Sequence, residues 1–92
     1  MMEFEWDEGK SERNRLERDL PFRLAIDLFD GQTVEQPDSR QNYGERRMQA
    51  VGVVGKLMLF CVYTDRGQTR RIISLRRANR RERDGYRTSC PG

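Results

Sequence analysis

Arginine is concentrated in the last third of the chain, at spacings that place guanidinium groups on neighbouring elements. The segment Gln68–Arg77 has the pattern of a strand, with arginine at both ends and isoleucine in its middle. The helix expected after it carries Arg80, Arg83 and Arg87 on one stripe, because they are three and four residues apart. Planar guanidinium forks bind phosphate oxygens in pairs. The pattern is typical of a surface that a phosphate chain crosses, and a solvated basic face is the alternative.

The chain contains no histidine, the residue most often used as a general base and as a transition-metal ligand. No cluster of Asp or Cys replaces it, and Cys61 and Cys90 are expected to be reduced thiols. We therefore expect neither a metal nor any other cofactor. Cations alone can accelerate cleavage of RNA by its own 2′-hydroxyl, because arginines neutralise the negative charge that develops on the phosphate.

Charge divides the chain into two halves of opposite sign. Residues 1–39 carry 5 basic and 11 acidic side chains, whereas residues 40–92 carry 13 basic and 4 acidic ones, which is a net −6 against +9. A basic half suits phosphate or the acidic tail of a protein partner. The 92 residues are enough for one domain, residues 1–92. The acidic start predicts no signal peptide, and without an apolar run of membrane-spanning length we expect a cytoplasmic protein that does not contact a membrane.

The N-terminal part of the chain predicts a short edge strand and two helices. Met2–Trp6 alternates apolar and acidic residues, as a strand with one buried side does. Asp7 or Ser11 is expected to cap the first helix. Phe22–Phe29 has apolar residues at helical spacing and predicts the second helix. Gly31 is expected to end it in a left-handed conformation.

The rest of the chain predicts strands and a short last helix. The expected strands are Thr33–Gln36, Glu45–Val54, Leu57–Thr64 and Gln68–Arg77. Gly67 suits a hairpin turn with positive φ, and Asn79 with Glu82 forms the pattern of a capping box for a helix to Arg87. The predicted fold class is α+β, with two N-terminal helices packed on an antiparallel β-sheet of three to four strands and a short C-terminal helix.

Alternation along the last strand predicts which side chains share a face of the sheet. One face would carry Arg70, Ile72, Ser74 and Arg76, and the other Arg71, Ile73, Leu75 and Arg77. Tyr63 and Tyr86 are the aromatic residues nearest to these arginines. Tyr63 is either a surface on which a nucleobase stacks or a residue at the core edge, and Tyr86 is expected to be the latter.

Four motifs occur in order along the chain. They are Phe4-Glu5-Trp6-Asp7, Asp38-x-Arg40-x-x-Tyr43-Gly44-Glu45, Val62-Tyr63-Thr64-x-Arg66 and Arg71-Ile72-Ile73-Ser74-x-Arg76. In this combination nearly the whole chain resembles the BrnT toxin family. The resemblance implies a ribonuclease toxin of a type II toxin–antitoxin pair, with a fold like that of the RelE toxins and no need of a metal. It also implies cleavage of mRNA, inhibition by a BrnA-type ribbon-helix-helix antitoxin that binds operator DNA, and a complex of two toxins with two antitoxins.

The chain departs from the family at the end of its first helix. Many members have Lys-His-Gly where this chain has Glu17, Arg18 and Asp19. Arg18 therefore stands where the resemblance implies an acid/base histidine, and a guanidinium is not deprotonated in proteins. Either Arg18 stabilises charge while Glu17 or a solvent base takes the proton, or activity is weak and the protein serves chiefly in an autorepressing complex.

The arginine pattern and the resemblance together define the expected site. The residues expected to stabilise the transition state are Arg18, Arg71 and Arg76. The residues expected to hold the RNA are Lys10, Arg66, Arg70, Ser74 and Arg77. Arg70 and Arg71 are expected on opposite faces, so at most one of them is central, and the family motif favours Arg71.

Overall fold

The computed structural model describes residues 2–40 and 42–90, which contain three helices and five strands. In chain order these are β1 (Glu3–Trp6), α1 (Glu8–Arg18), α2 (Leu24–Asp30), β2 (Thr33–Pro37), β3 (Met48–Val54), β4 (Leu57–Arg66), β5 (Thr69–Arg77) and α3 (Arg80–Ser89). The strands form one sheet in the order β1-β5-β4-β3-β2. The predicted α+β class and the three helices are confirmed.

The sheet is mixed and has five strands, so the prediction of three to four antiparallel strands was wrong in detail. Strands β2 to β5 pair antiparallel, but β1 lies parallel to β5, with Glu3 opposite Thr69 and Trp6 opposite Ile72. A tight turn in the sequence predicts an antiparallel pair of strands, whereas a parallel pair needs a long connection. Two helices and three strands separate β1 from β5 along the chain, so no local pattern reveals the pairing.

Several element boundaries and the conformation of Gly31 differ from the prediction. Strand β3 begins at Met48 rather than at residue 45. Helix α2 begins at Leu24 rather than Phe22, because a turn precedes it in which the Leu24 N–H donates to the Pro21 carbonyl. Gly31 is extended, with φ −105°.

The left-handed residue at a helix end is instead Asp19, which follows α1 with φ 59°. This is the position where the resemblance implies glycine, the residue that adopts positive φ most readily.

The predicted caps are present. The Asp7 carboxylate accepts from the Lys10 N–H at 3.0 Å and begins α1. Asn79 and Glu82 form the reciprocal capping box at the start of α3, each side chain accepting from the other residue's N–H at 2.9 Å. Gly67 takes the expected positive φ of 62° in the β4–β5 turn. Helix α3 continues to Ser89, two residues beyond its predicted end.

A bulge in β5 overturns the predicted faces of that strand. Tyr63 lies opposite Ile72 and Val62 opposite Ser74, so Ile73 is an extra residue in β5. A bulge of one residue shifts the alternation beyond it to the other face. Leu75 therefore joins Ile72 in the core cluster instead of facing away from it.

Apolar side chains pack on both faces of the sheet. The larger cluster lies on the face that α2 covers and contains Leu20, Phe22, Ala25, Leu28, Ala50, Leu59, Cys61, Tyr63, Ile72 and Leu75. A smaller cluster on the opposite face contains Val51, Phe60, Val62 and Ala78, with Tyr86 of α3 packed against it.

Both cysteines are free, and burial raises the pKa of the Cys61 thiol to about 12. Within residues 2–40 and 42–90, no helix is long and apolar enough to cross a membrane.

Gly52 allows α2 to approach the sheet closely. A Cβ atom at this position would lie 2.7 Å from Leu28 Cδ1 and 3.2 Å from the Gln32 carbonyl oxygen. Leu28 is fully buried and cannot move away without disturbing the core. The glycine in the otherwise apolar strand β3 is therefore explained by the packing of α2.

Replacing Gly52 with alanine is expected to destabilise the protein by about 1–3 kcal/mol, the usual cost of overpacking a core. The matched control is Gly85→Ala, because a Cβ at Gly85 meets nothing within 4 Å and the residue lies inside α3. Alanine there should stabilise the protein by about 0.5–1 kcal/mol. Urea unfolding of both variants measures the difference, and equal stability of the two would contradict the packing argument.

Candidate functional site

The candidate site lies where β5 extends beyond its neighbour β1. The pairing with β1 ends at Ile72, and the remaining part of β5 runs beside α1. Asn14 of α1 holds this arrangement, because its side-chain amide donates to the carbonyl of Leu75 at 2.9 Å and to that of Leu20 at 2.7 Å. The buried Ser11 hydroxyl also accepts from the Phe22 N–H at 2.9 Å. These bonds fix the end of α1 against the strand.

Two adjoining depressions follow this junction, and together we call them the arginine groove. The first, about 140 Å³, is lined by Lys10, Arg13, Asn14, Glu17, Arg18, Phe22, Ile73 and Ser74. The second, about 320 Å³, is lined by Arg18, Leu20, Arg76 and Arg77. Arg18 belongs to both and joins them. Of the eight residues expected in the site, the groove brings together five, namely Lys10, Arg18, Ser74, Arg76 and Arg77.

Most of the cations in the groove have no acidic partner. Among the residues that the structure describes, no carboxylate oxygen lies within 4.0 Å of a side-chain nitrogen of Lys10, Arg13, Arg18 or Arg77. Glu17 supplies an acidic side chain to the same lining. Uncompensated cations that line a concave surface attract polyanions and bind phosphate oxygens.

Arg76 differs from the other cations in the groove because it is paired. Its two Nη atoms donate to the Glu82 carboxylate at 2.8 Å each, and its guanidinium lies 4.0 Å from the centre of the Phe60 ring. Burial acts to raise the pKa of Glu82, but the hydrogen bonds from Arg76 and the Asn79 N–H lower it overall. The carboxylate that caps α3 thus also orients Arg76.

Arg71 lies beyond the Lys10 end of the groove, beside β1. Its guanidinium donates to the Glu5 carboxylate at 2.5 Å. The Lys10 N–H lowers the pKa of Asp7, and the charges of Lys10 and Arg71 lower it further. Arg71 and Lys10 therefore both lie near Asp7, with Arg71 held by an acidic partner.

Arg66 and Arg70 lie at the turn of the β4–β5 hairpin, outside the arginine groove. Arg70 forms two hydrogen bonds with Asp65, at 2.8 and 2.9 Å. Its guanidinium also lies 4.1 Å from the ring centre of Tyr63 and 4.5 Å from that of Phe29. Only 15% of the Arg70 side chain is exposed, so it packs as part of the core edge. Arg66 contacts Glu45 at 3.2 Å.

Tyr63 is buried, with 2% of its surface exposed, and its hydroxyl donates to the Glu35 carboxylate. Burial and this bond raise the pKa of Tyr63. Of the two interpretations of Tyr63, the packing supports the core residue.

The sequence motifs did not identify Arg13 as part of the site, although helix geometry could have done so. Lys10, Arg13, Asn14 and Glu17 are separated by three, one and three residues, which places them on one face of α1. Among residues 2–40 and 42–90, no group of three His, Cys, Asp or Glu side chains is placed to hold a metal ion.

A family model decides the relationship that the motifs indicated. The model of the ribonuclease toxin BrnT of type II toxin–antitoxin systems matches residues 6–82. The chain belongs to this family. The predicted membership is thus confirmed over most of the sequence. A comparison with curated proteins found no match.

The second motif of this BrnT-family chain organises the loop between β2 and β3. The Asp38 carboxylate is fully buried and accepts two hydrogen bonds from the Arg40 guanidinium, at 2.8 and 2.7 Å, and one from Gln49 at 3.2 Å. The hydrogen bonds from Arg40 lower the pKa of Asp38 to about 2. The charge of Arg40 also lowers the pKa of Glu82, the partner of Arg76.

The low pKa of Asp38 predicts how stability depends on pH. A carboxyl whose pKa falls from 3.8 to about 2 on folding stabilises the protein above pH 4 and loses that effect as the pH falls towards 2. Asp38→Asn should therefore lower the free energy of unfolding by about 1.5–3 kcal/mol at pH 7. It should also flatten the decline between about pH 4 and pH 2.

The exposed Asp84 provides a control, since its ion pairs are long, at 3.8 and 3.9 Å. Asp84→Asn should change stability by less than about 1 kcal/mol and leave the pH dependence intact. Chemical unfolding at several pH values measures both variants. If Asp38→Asn keeps the wild-type decline, Asp38 is not the titrating group.

Proposed function

We propose that this protein is a metal-independent endoribonuclease toxin that cleaves mRNA in the cytoplasm and so inhibits translation, in the manner of RelE toxins. A BrnA-type ribbon-helix-helix antitoxin would neutralise it in a complex of two toxins and two antitoxins, and operator DNA would be contacted through the antitoxin. The observation that carries the proposal is the arginine groove, where cations of α1 and β5 without a carboxylate partner among the described residues surround Arg18. Membership of a ribonuclease toxin family is consistent with that chemistry.

In the proposed reaction the 2′-hydroxyl of a ribose attacks the adjacent phosphorus. The oxygen–phosphorus bond that forms gives a 2′,3′-cyclic phosphate, and the bond to the 5′-oxygen of the next nucleotide breaks. The attacking hydroxyl loses its proton to a base, and the leaving oxygen takes a proton from solvent. Negative charge grows on the non-bridging oxygens in between, and fixed cations stabilise that charge.

Arg18 and Arg76 are the cations we assign to this charge, because both line the depression at the end of β5. Lys10, Arg77 and the Ser74 hydroxyl would hold the flanking phosphates. Arg71 would contact RNA only after its pair with Glu5 opens. Arg66 and Arg70 contact acidic partners at the hairpin turn. Only an RNA long enough to extend from the groove to this turn would contact them.

The proton acceptor is a group other than histidine, because Arg18 replaces the histidine that the resemblance implies. Glu17 lines the same depression as Arg18, so a carboxylate is available beside the cation. A solvent base is the other candidate.

The central test is cleavage of mRNA by the purified protein in the presence of EDTA. Arg18→Ala and Arg76→Ala are each expected to lower kcat/KM by about 10²-fold, as removal of one charge-stabilising donor does in other enzymes. Arg87→Ala is the matched control, because Arg87 is an exposed arginine of α3 that does not line the groove, and it should keep wild-type activity. Intact RNA with the wild type, or equal activity of all three variants, would refute the ribonuclease assignment.

Restoring a histidine tests the role of position 18. Arg18→His places a group with an ordinary pKa of about 6.5 in the groove, where it can accept the proton from the 2′-hydroxyl. We expect kcat/KM at pH 7.5 to exceed that of Arg18→Ala by at least about 10²-fold, with a fall in rate below pH 6.5. Measurement of kcat/KM for both variants from pH 5 to 9 tests these two expectations. Equal rates for the two variants across that range would show that position 18 takes no part in proton transfer.

A second candidate is a catalytically weak or inactive binding module, which acts as a subunit of an autorepressing toxin–antitoxin complex. The observation that favours it is the arginine at position 18 in a chain without histidine. In that case the groove would bind an acidic segment of the antitoxin. Expression alone would not arrest growth, while the complex with the antitoxin would still form. Growth arrest that the antitoxin relieves would exclude this candidate.

A further inference from the structure

A second groove lies on the opposite side of Arg76, between α3 and the sheet face formed by β2 and β3. It has a volume of about 600 Å³ and lies outside the arginine groove. Its apolar lining comes from Val34, Val51 and Phe60 of the sheet and from Tyr86 of α3. Apolar and aromatic walls with a few converging polar groups are typical of sites for small flat ligands.

Hydrogen bonds orient the two glutamine side chains of this groove. Gln49 donates through Nε2 to the Asp38 carboxylate at 3.2 Å, and Gln36 donates through Nε2 to Gln49 Oε1 at 3.0 Å. A carboxylate with lowered pKa can only accept, so Asp38 determines which end of each amide faces its neighbour. Among the described residues, the Gln36 carbonyl oxygen and its second N–H have no other partner, so they are left for a ligand. An adjacent acceptor and donor match the hydrogen-bonding edge of a nucleobase.

The charges of the groove favour a neutral ligand. Glu82 and Arg81 both line it, so an acidic and a basic group lie in the same wall. An acidic peptide would meet Glu82 and a basic peptide would meet Arg81. A neutral heterocycle is repelled by neither charge and can stack on the aromatic side chains.

The groove and the arginine groove share no lining residue, but one ion pair connects their walls. The Arg76 guanidinium contacts the Phe60 ring on one side and the Glu82 carboxylate on another, and both of these residues line the α3 groove. A phosphate held by Arg76 would therefore have its attached nucleoside at the mouth of this groove. Proteins that bind single-stranded RNA combine cations along the backbone with stacking surfaces for bases in the same way.

We propose that the groove between α3 and β2–β3 binds one nucleobase of the RNA whose backbone lies in the arginine groove. The proposal rests on the ribonuclease function proposed above, and it assigns the selection of a nucleotide to Gln36, Phe60 and Tyr86. Arg76 and Glu82 then connect the phosphate site with the base site.

The test compares binding of two probes of equal length and charge, each about eight nucleotides long. One is a mixed-sequence 2′-O-methyl RNA, which cannot undergo internal attack, and the other is the same backbone without bases. The wild type is expected to bind the first at least about tenfold more tightly, as stacking of one base implies. Val34→Trp fills the groove and should reduce this ratio to below about twofold, while the salt dependence of binding, which reports phosphate contacts, stays unchanged.

Two further variants complete the experiment. Val53→Trp places the same bulk at a 41% exposed position of β3 outside the groove and should keep the wild-type ratio. Gln36→Ala removes the amide together with one methylene group and should lower the ratio by about threefold. Circular dichroism and thermal unfolding establish that the variants are folded.

Several results would overturn the proposal. A ratio near one in the wild type, or a ratio that Val34→Trp leaves unchanged, shows that the groove does not hold a base. Loss of antitoxin binding in Val34→Trp with an unchanged ratio would identify the groove as a protein contact instead. If the protein does not cleave unmodified RNA, the proposed ribonuclease function is wrong, whatever the ratio. If the protein shows no salt-dependent RNA binding at all, both proposals are wrong.

Discussion

The site depends on a difference in length between two paired strands. Strand β1 has 4 residues and β5 has 9, so the pairing covers only the first part of β5. The backbone groups beyond Ile72 need other partners, since an unpaired carbonyl shielded from water is costly. Asn14 supplies one for Leu75 and at the same time binds Leu20, at the junction of the first two helices. One side chain thus closes the sheet edge and positions Arg18 beside β5.

The number of arginines says less about function than their partners do. Arg66, Arg70 and Arg71 each contact a carboxylate, and Arg70 also packs against two aromatic rings. These arginines stabilise the hairpin and its contact with β1, although the basic composition made them equal candidates for RNA. In the described part of the chain, the cations of the arginine groove without a carboxylate partner come largely from α1, which belongs to the acidic half of the sequence. Net charge along the sequence therefore does not map onto one side of the molecule.

Arg76 shares one property with each of these two groups, because it contacts a carboxylate and also lines the arginine groove. Its bidentate pair with Glu82 and its stacking on Phe60 hold the guanidinium in one orientation, while the side chain still borders the groove that contains Arg18. Glu82 in turn caps α3, and the charge of Arg40, in the loop anchored by Asp38, helps to lower its pKa. Gln49 binds Asp38 and lines the same groove as Glu82, which explains physically why motifs far apart in the sequence serve one region of the fold.

Local patterns were sufficient for much of the fold and for the family. Helical spacing predicted α2, turn and cap residues predicted Gly67 and the Asn79 capping box, and four ordered motifs identified the BrnT family. These features depend on residues close together in the chain, whose interactions can be derived from spacing alone. The arginines of the last strand were likewise visible as candidates before the fold was known.

The tertiary structure alone decided which of these candidates meet. The parallel pairing of β1 with β5 and the bulge at Ile73 join segments from opposite ends of the chain and reverse the faces of Leu75 and Arg76. Neither leaves a local signal, because both arise from long-range backbone pairing and the packing of the two faces. Lys10, Arg13 and Arg18 were therefore brought to β5 by the fold, whereas the sequence by itself determined that arginines rather than histidine or metal ligands were present to form the site.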